Sequence, residues 1–173
     1  MSKVVLIGMG DGFMDAPEYG SCELWGITSV LLWRWVNLTV DMNDHSGLRW
    51  GKSRKLLNDK VIAKSKEFNI PYIGLKEYPI DEIIEAFNTD FFSNTVDYAI
   101  ALAVYRGFTE IDLHGVTLDG SGEYLKYQPG VNFWCGVAKG RGIKLTVYGK
   151  NTTVMRTEEG LLYGYDRPQK GRL

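Results

Sequence analysis

Four clusters carry residue types able to hold a ligand or move a proton. The first is Gly8-Met9-Gly10-Asp11-Gly12, directly behind the apolar run Val4 to Gly8. Glycines at such a turn let backbone amides approach an anion closely, because no Cβ intervenes. The dinucleotide fingerprint nevertheless fails. Its third glycine would fall at Phe13, the next apolar run ends at Thr28 with no acid to grip a ribose, and Asp11 puts negative charge where a pyrophosphate would lie. A tight turn needing positive φ and contact with a nucleotide in another geometry both stay open.

The second cluster is Ser93-Asn94-Thr95, at the start of a long apolar stretch. Unpartnered amides and the positive dipole end make a helix start an anion site, while plain N-capping by Ser93 accounts for the same residues. The third is a set of polar residues at strand ends, Thr28, Asp41, Asn43, Asp44 and His45, whose tips converge if their strands are neighbours. Asp41, Asp44 and His45 are metal-ligating types, but their spacing matches no established motif, so no metal is expected. The fourth is the loop GVTLDGSGEYLKYQPG, with Asp119, Glu123, Tyr124, Lys126 and Tyr127. Its tyrosines offer flat faces for stacking on a base and hydroxyls for orienting it. A solvated surface loop is the plain alternative. Asp41, His45, Asp119 and Glu123 are the candidates for acid–base work.

Alternating strands and helices must position these clusters. Strands are expected at Val4–Gly8, Glu23–Thr28, Asn37–Asn43, Ile70–Gly74, Glu110–His114 and Ile143–Val147, with Pro71 pushing the fourth towards a sheet edge. Helices are expected at Ser29–Trp35 with Ser29 as N-cap, at Lys55–Phe68 on an apolar rhythm of Leu56, Leu57, Val61, Ile62 and Phe68, and from Pro79 to about Phe87. Another runs from Ser93 to a stop at Gly107, with Val96, Ala99, Ile100, Ala103 and Val104 as its stripe, and a last one covers Val131–Lys139. Residues 9–21 and Asp44–Lys52 read as loops. The class is α/β, a Rossmann-like three-layer fold with a mainly parallel sheet flanked by helices. Residues 1–148 form this domain, and residues 149–173 a C-terminal extension with a basic tail from Arg167.

The totals narrow the function. Lysine and arginine number 20 against 21 acids, so no global basic field draws in nucleic acid generally. No stretch reaches the roughly 18 apolar residues of a membrane span, and no signal peptide precedes Val4, so a soluble, cytoplasmic protein is expected. Cys22 and Cys135 have no redox or metal spacing and read as buried free thiols. Of five tryptophans, Trp25, Trp33, Trp35 and Trp134 read as core or subunit contacts, and Trp50 as a ligand or partner contact. Homo-oligomerisation is accordingly open. No cofactor motif is present.

The order of these pieces resembles a family of known architecture. The Gly-x-Gly turn, the Trp-Gly-Ile-Thr strand, the Ser-Asn-Thr helix start, ALAVYRGFTEIDLHGV and the Tyr-bearing loop follow one another as in the Rossmann-like proteins around the family 42 sialyltransferases and the archaeal pterin diphosphokinase-like (DUF115-like) proteins, and small phage-type proteins of that build. The resemblance covers roughly residues 3–148. It implies a nucleotide lying across Gly8, Gly10, Thr28, Asn43, Ser93 and Asn94, with Tyr124 near its phosphate. Departures are specific: Met9 and Thr28 stand where the family carries Asn, Gly115-Val116-Thr117 replaces Gly-Ile-Asp, and the transferases' histidine base is missing, since no histidine follows His114.

The expected function is therefore non-catalytic binding of a nucleotide or nucleotide derivative, with Gly8, Met9, Gly10, Asp11, Thr28, Asn43, Ser93, Asn94, Thr95, Tyr124 and Tyr127 as its site. The phage-type resemblance implies sequestration of a host signalling nucleotide, in the host cytoplasm. The alternatives are a small transferase or hydrolase on a nucleotide-linked substrate, and an assembly protein without a ligand.

Overall fold

The computed structural model describes residues 2–43, 51–118, 122, 124–157, 160–165 and 167–169. Its strands are β1 (Lys3–Ile7), β2 (Glu23–Ile27), β3 (Leu38–Val40), β4 (Tyr72–Ile73), β5 (Glu110–His114) and β6 (Lys144–Val147). Its helices are α1 (Gly51–Glu67), α2 (Ile80–Phe87), α3 (Thr95–Tyr105) and α4 (Gln128–Gly140). The strands form one all-parallel sheet in the order β4-β3-β2-β1-β5-β6, a three-layer α/β arrangement of Rossmann-like type.

β1 explains its own apolar run. Val4 and Leu6 enter the larger core with α3 and α4, while Val5 and Ile7 enter a smaller core with Val30, Leu31 and Val36. A strand buried on both faces has no polar side to alternate with. α3 packs on β1, β2, α2 and α4, and its residues Ala99 to Val104 are all buried. It stops in a Schellman motif: Gly107 sits at φ 78°, and the amides of Phe108 and Gly107 reach the carbonyls of Ala103 and Val104. Trp25 and Trp134 are fully buried, and each indole N–H finds an acceptor, Glu23 Oε1 and the Phe91 carbonyl, both at 2.9 Å.

Several local expectations are corrected. Ser29 caps nothing: Thr28–Leu32 is a 3₁₀ turn following Ile27, with no side-chain cap, and it serves to press Val30 and Leu31 onto the sheet. The third strand ends at Val40 rather than Asn43, and α1 begins at Gly51, inside the expected loop. α1 buries Asn58, Val61 and Ser65, leaving Leu56 and Leu57 exposed, so packing overrode the apolar rhythm. α4 starts three residues early, with Pro129 in its first turn, where a missing N–H costs nothing. Residues 9–21 hold one 3₁₀ turn, Phe13–Asp15. Trp33 and Trp35 lie at the surface, Trp35 edge-on to Phe68 at 4.7 Å. Cys135 is buried, which lifts its thiol to about 12, whereas Cys22 is only partly covered. β4 is, as Pro71 implied, an edge strand of two residues.

Candidate functional site

The chain winds outward from β1 to β4 and then returns to lay β5 on the other side of β1. Such a reversal leaves a crevice beyond the carboxyl ends of the two strands. Here it opens behind Ile7 and its partner His114. The two emerging loops stay joined: Gly8 N donates to the His114 carbonyl at 2.8 Å, and Gly10 N to the Gly115 carbonyl at 2.7 Å. A Cβ on Gly8 or Gly10 would stand 2.5 or 2.7 Å from that Gly115 oxygen. Close backbone approach therefore requires these two glycines, and positive φ is needed at Gly12 (80°).

A cleft of about 730 Å³ occupies this crevice. Gly8, Met9, Gly10, Asp11, Thr28, Asn43, Ser93, Asn94, Thr95, Tyr124 and Tyr127 all line it, so the residues selected from sequence are brought together in space. Of the acid–base candidates, Asp41 is fully buried beside the cleft rather than in its lining. It accepts from Asn43 N (3.1 Å), Asn43 Nδ2 (2.5 Å) and Tyr72 Oη (3.2 Å). Burial, then the Asp41 charge, pushes the Tyr72 phenol up, so that hydroxyl stays a donor. His45, Asp119 and Glu123, with Asp44 and Trp50, lie outside the described residues. His114 is buried, stacked on Tyr148 at 4.2 Å, and absent from the lining; burial lowers its pKa, keeping the ring neutral. Among the described residues, no group of three or more His, Cys, Asp or Glu is placed to hold a metal.

The start of α3 forms one wall, and Asn94 caps it, not Ser93. Asn94 Oδ1 accepts from Val96 N at 2.7 Å. In return the buried Asp97 carboxylate accepts from Ser93 N (2.7 Å), Ser93 Oγ (2.8 Å) and Asn94 N (3.1 Å), a capping box. Burial raises the Asp97 carboxyl to about 6 against the pull of these donors. Burial and the Asp97 charge also raise the Tyr98 phenol. Asn94 Nδ2 further donates to the Tyr127 carbonyl (3.3 Å), which the Ser93 hydroxyl also approaches at 3.2 Å as the alternative acceptor to Asp97, tying the start of α4 to that of α3. Thr95 Oγ1 accepts from Met42 N at 3.3 Å, linking the wall to the end of β3.

Other residues line the cleft as well. Phe92 and Tyr98 stack at 4.2 Å and 14° and both face the cleft. Tyr98 lies one turn beyond Asn94, a spacing that places both at the same end of α3. Thr117 and Leu118 follow β5, where a carboxyl-edge rule would have found them. Asn151 had no signal, because it arrives from the segment whose Thr152 and Thr153 hydroxyls bond to the carbonyls of Val116 and Leu118.

No protein-family model matches the chain, and no curated protein is similar to it in sequence. Among solved structures it is similar to the sialyltransferase CstII from Campylobacter jejuni in complex with a substrate analogue, CMP-3FNeuAc, at 16% identity over 88% of this chain and 83% of that one, TM-score 0.42. It is also similar to a probable thiamine pyrophosphokinase from Staphylococcus saprophyticus subsp. saprophyticus, at 16% identity over 86% of this chain and 65% of that one, TM-score 0.44.

Proposed function

We propose that this protein binds a nucleotide-type small molecule in the cleft at the carboxyl edge of its sheet and holds it without transforming it. What carries the reading is the convergence of the glycine turn, the strand ends, the α3 start and the tyrosine loop on one cleft of about 730 Å³. Ligand sites span roughly 300–1,000 Å³. Tyr98 and Tyr124 offer aromatic surface to a base, and Thr28, Asn43, Thr117 and Asn151 offer neutral hydrogen-bonding groups to its edges and sugar. Acid–base catalysis needs a titratable group within reach of the reacting atoms. Among the described lining residues Asp11 is the carboxylate, and no histidine, lysine or cysteine joins it. Asp41 is already held by Asn43 and Tyr72. Retention of a host signalling nucleotide, in a host cytoplasm, is the use that the phage-type resemblance adds.

A second reading, a transferase or hydrolase on a nucleotide-linked substrate, draws on one observation: Leu118 lines the cleft and Asp119 follows it directly. A thermal-shift screen of nucleosides, nucleotides, cyclic and ADP-ribose-type signals and nucleotide sugars, with each hit recovered for chromatography, separates the readings. A ligand at 100 times its Kd adds about 2.7 kcal/mol, or roughly 5–10 °C for a chain of this size. Recovery of the ligand intact is expected; recovery of product would favour the enzyme, and no shift across the panel would overturn both.

A further inference from the structure

At both places where a phosphate would land, the protein's own acceptors already take several of the backbone donors. At the glycine turn, the amides of Gly8 and Gly10 point to the carbonyls of His114 and Gly115. The same two glycines admit the Gly115 oxygen so closely that a carbonyl sits at the turn. At the α3 start, the amides of Ser93 and Asn94 point to the Asp97 carboxylate, and that of Val96 to Asn94 Oδ1. Asp97 thereby sets an internal negative charge at the positive end of the helix, where an external anion would otherwise be held. Packing fixes this arrangement, since a Cβ on Gly130 would fall 2.4 Å from Asp97 Oδ2 and 2.2 Å from Ser93 Oγ.

The charge of the lining points the same way. Among the described lining residues no lysine or arginine is present, and Asp11 adds a carboxylate beside the turn. Like charges within a few ångströms in a partly water-excluded site repel strongly.

Building on the proposed nucleotide-type reading, we infer that the cleft recognises the nucleoside part of its ligand and selects against phosphate charge, taking a nucleoside or an ester with a single phosphate in preference to a polyphosphate. The aromatic surfaces of Tyr98 and Tyr124 and the neutral groups of Thr28, Asn43 and Thr117 do the recognising, with Phe92 stacked behind Tyr98.

Titration calorimetry of the full chain with matched nucleosides, 5′-monophosphates and 5′-triphosphates of each base, in EDTA at roughly 0.15 M salt so that long-range charge is screened, tests this. The nucleoside is expected to bind at least as tightly as its monophosphate and about tenfold tighter than its triphosphate. Asp11→Asn should narrow the nucleoside–triphosphate gap about threefold. Affinity that rises with each added phosphate overturns the charge preference and leaves nucleotide binding standing. Absence of binding by every member of the series overturns both.

Discussion

Asp97 illustrates how one residue couples the site to the stability of the fold. Its carboxyl is lifted from 3.8 to about 6 by burial. A group with a raised folded pKa contributes most when protonated, so its stabilisation is full below about pH 4 and is lost as pH rises through about 6. The two-unit rise corresponds to about 3 kcal/mol. Asp97→Asn should flatten this part of the stability profile, as read by urea unfolding from about pH 4 to pH 7; an unchanged slope would assign the titration to another group. Thr28 makes a second case. It holds φ 52° in the cleft, and Leu118 holds 47°. A branched residue there is strained by about 1–2 kcal/mol, so Thr28→Asn, which tolerates that region, should raise unfolding free energy by about 1 kcal/mol. The sequence places Thr28 at a strand end, whereas it opens the 3₁₀ turn Thr28–Leu32, which no neighbour of Thr28 announces. Asn94 was more legible. Asp97 stands three residues after Asn94, the reciprocal partner of a capping box, whereas Val96 stands three after Ser93.

The pairing of α3 with α4 determines one wall of the cleft. Alanine in place of a helical glycine ordinarily stabilises by about 1 kcal/mol. At Gly130 the added methyl would meet Ser93 Oγ, Ser93 Cβ and Asp97 Oδ2, all held by hydrogen bonds. Overpacking of this kind costs about 1–3 kcal/mol, so Gly130→Ala should lower stability, and thermal unfolding would show the sign directly. Gly10→Ala should be at least as damaging, because the obstructing atom is the backbone carbonyl of Gly115 and cannot rotate away. Legibility at this scale followed burial. α3 was readable because its apolar stripe is its buried face, while α1 was not, because it buries Asn58 and Ser65 and shows Leu56 and Leu57 to solvent.

For the molecule as a whole, the alternation of strands and helices was enough to give the α/β class, since strands buried on both faces leave continuous β-branched runs. Strand order was not in the periodicity. The reversal between β1 and β5 is what gathers residues as distant as Gly8, Asn43, Ser93, Thr117 and Asn151 around one cleft. The aromatic residues split between roles in the same way: Trp25 and Trp134 fill the core, while Trp33 and Trp35 stay exposed and are available to a subunit contact. Among the described residues no helix is long and apolar enough to cross a membrane. The central claim is that the cleft is the binding site, and Met9 gives direct access to it, being 40% exposed and part of the lining. Its replacement by tryptophan fills the cavity from a position where the fold tolerates bulk. Calorimetric titration of nucleosides into the wild-type chain and into Met9→Trp is the most direct measurement. Saturable binding to the wild type is expected, with at least a tenfold loss in Met9→Trp at unchanged thermal stability, about 1.4 kcal/mol of binding free energy. Equal affinity for the two chains would contradict it.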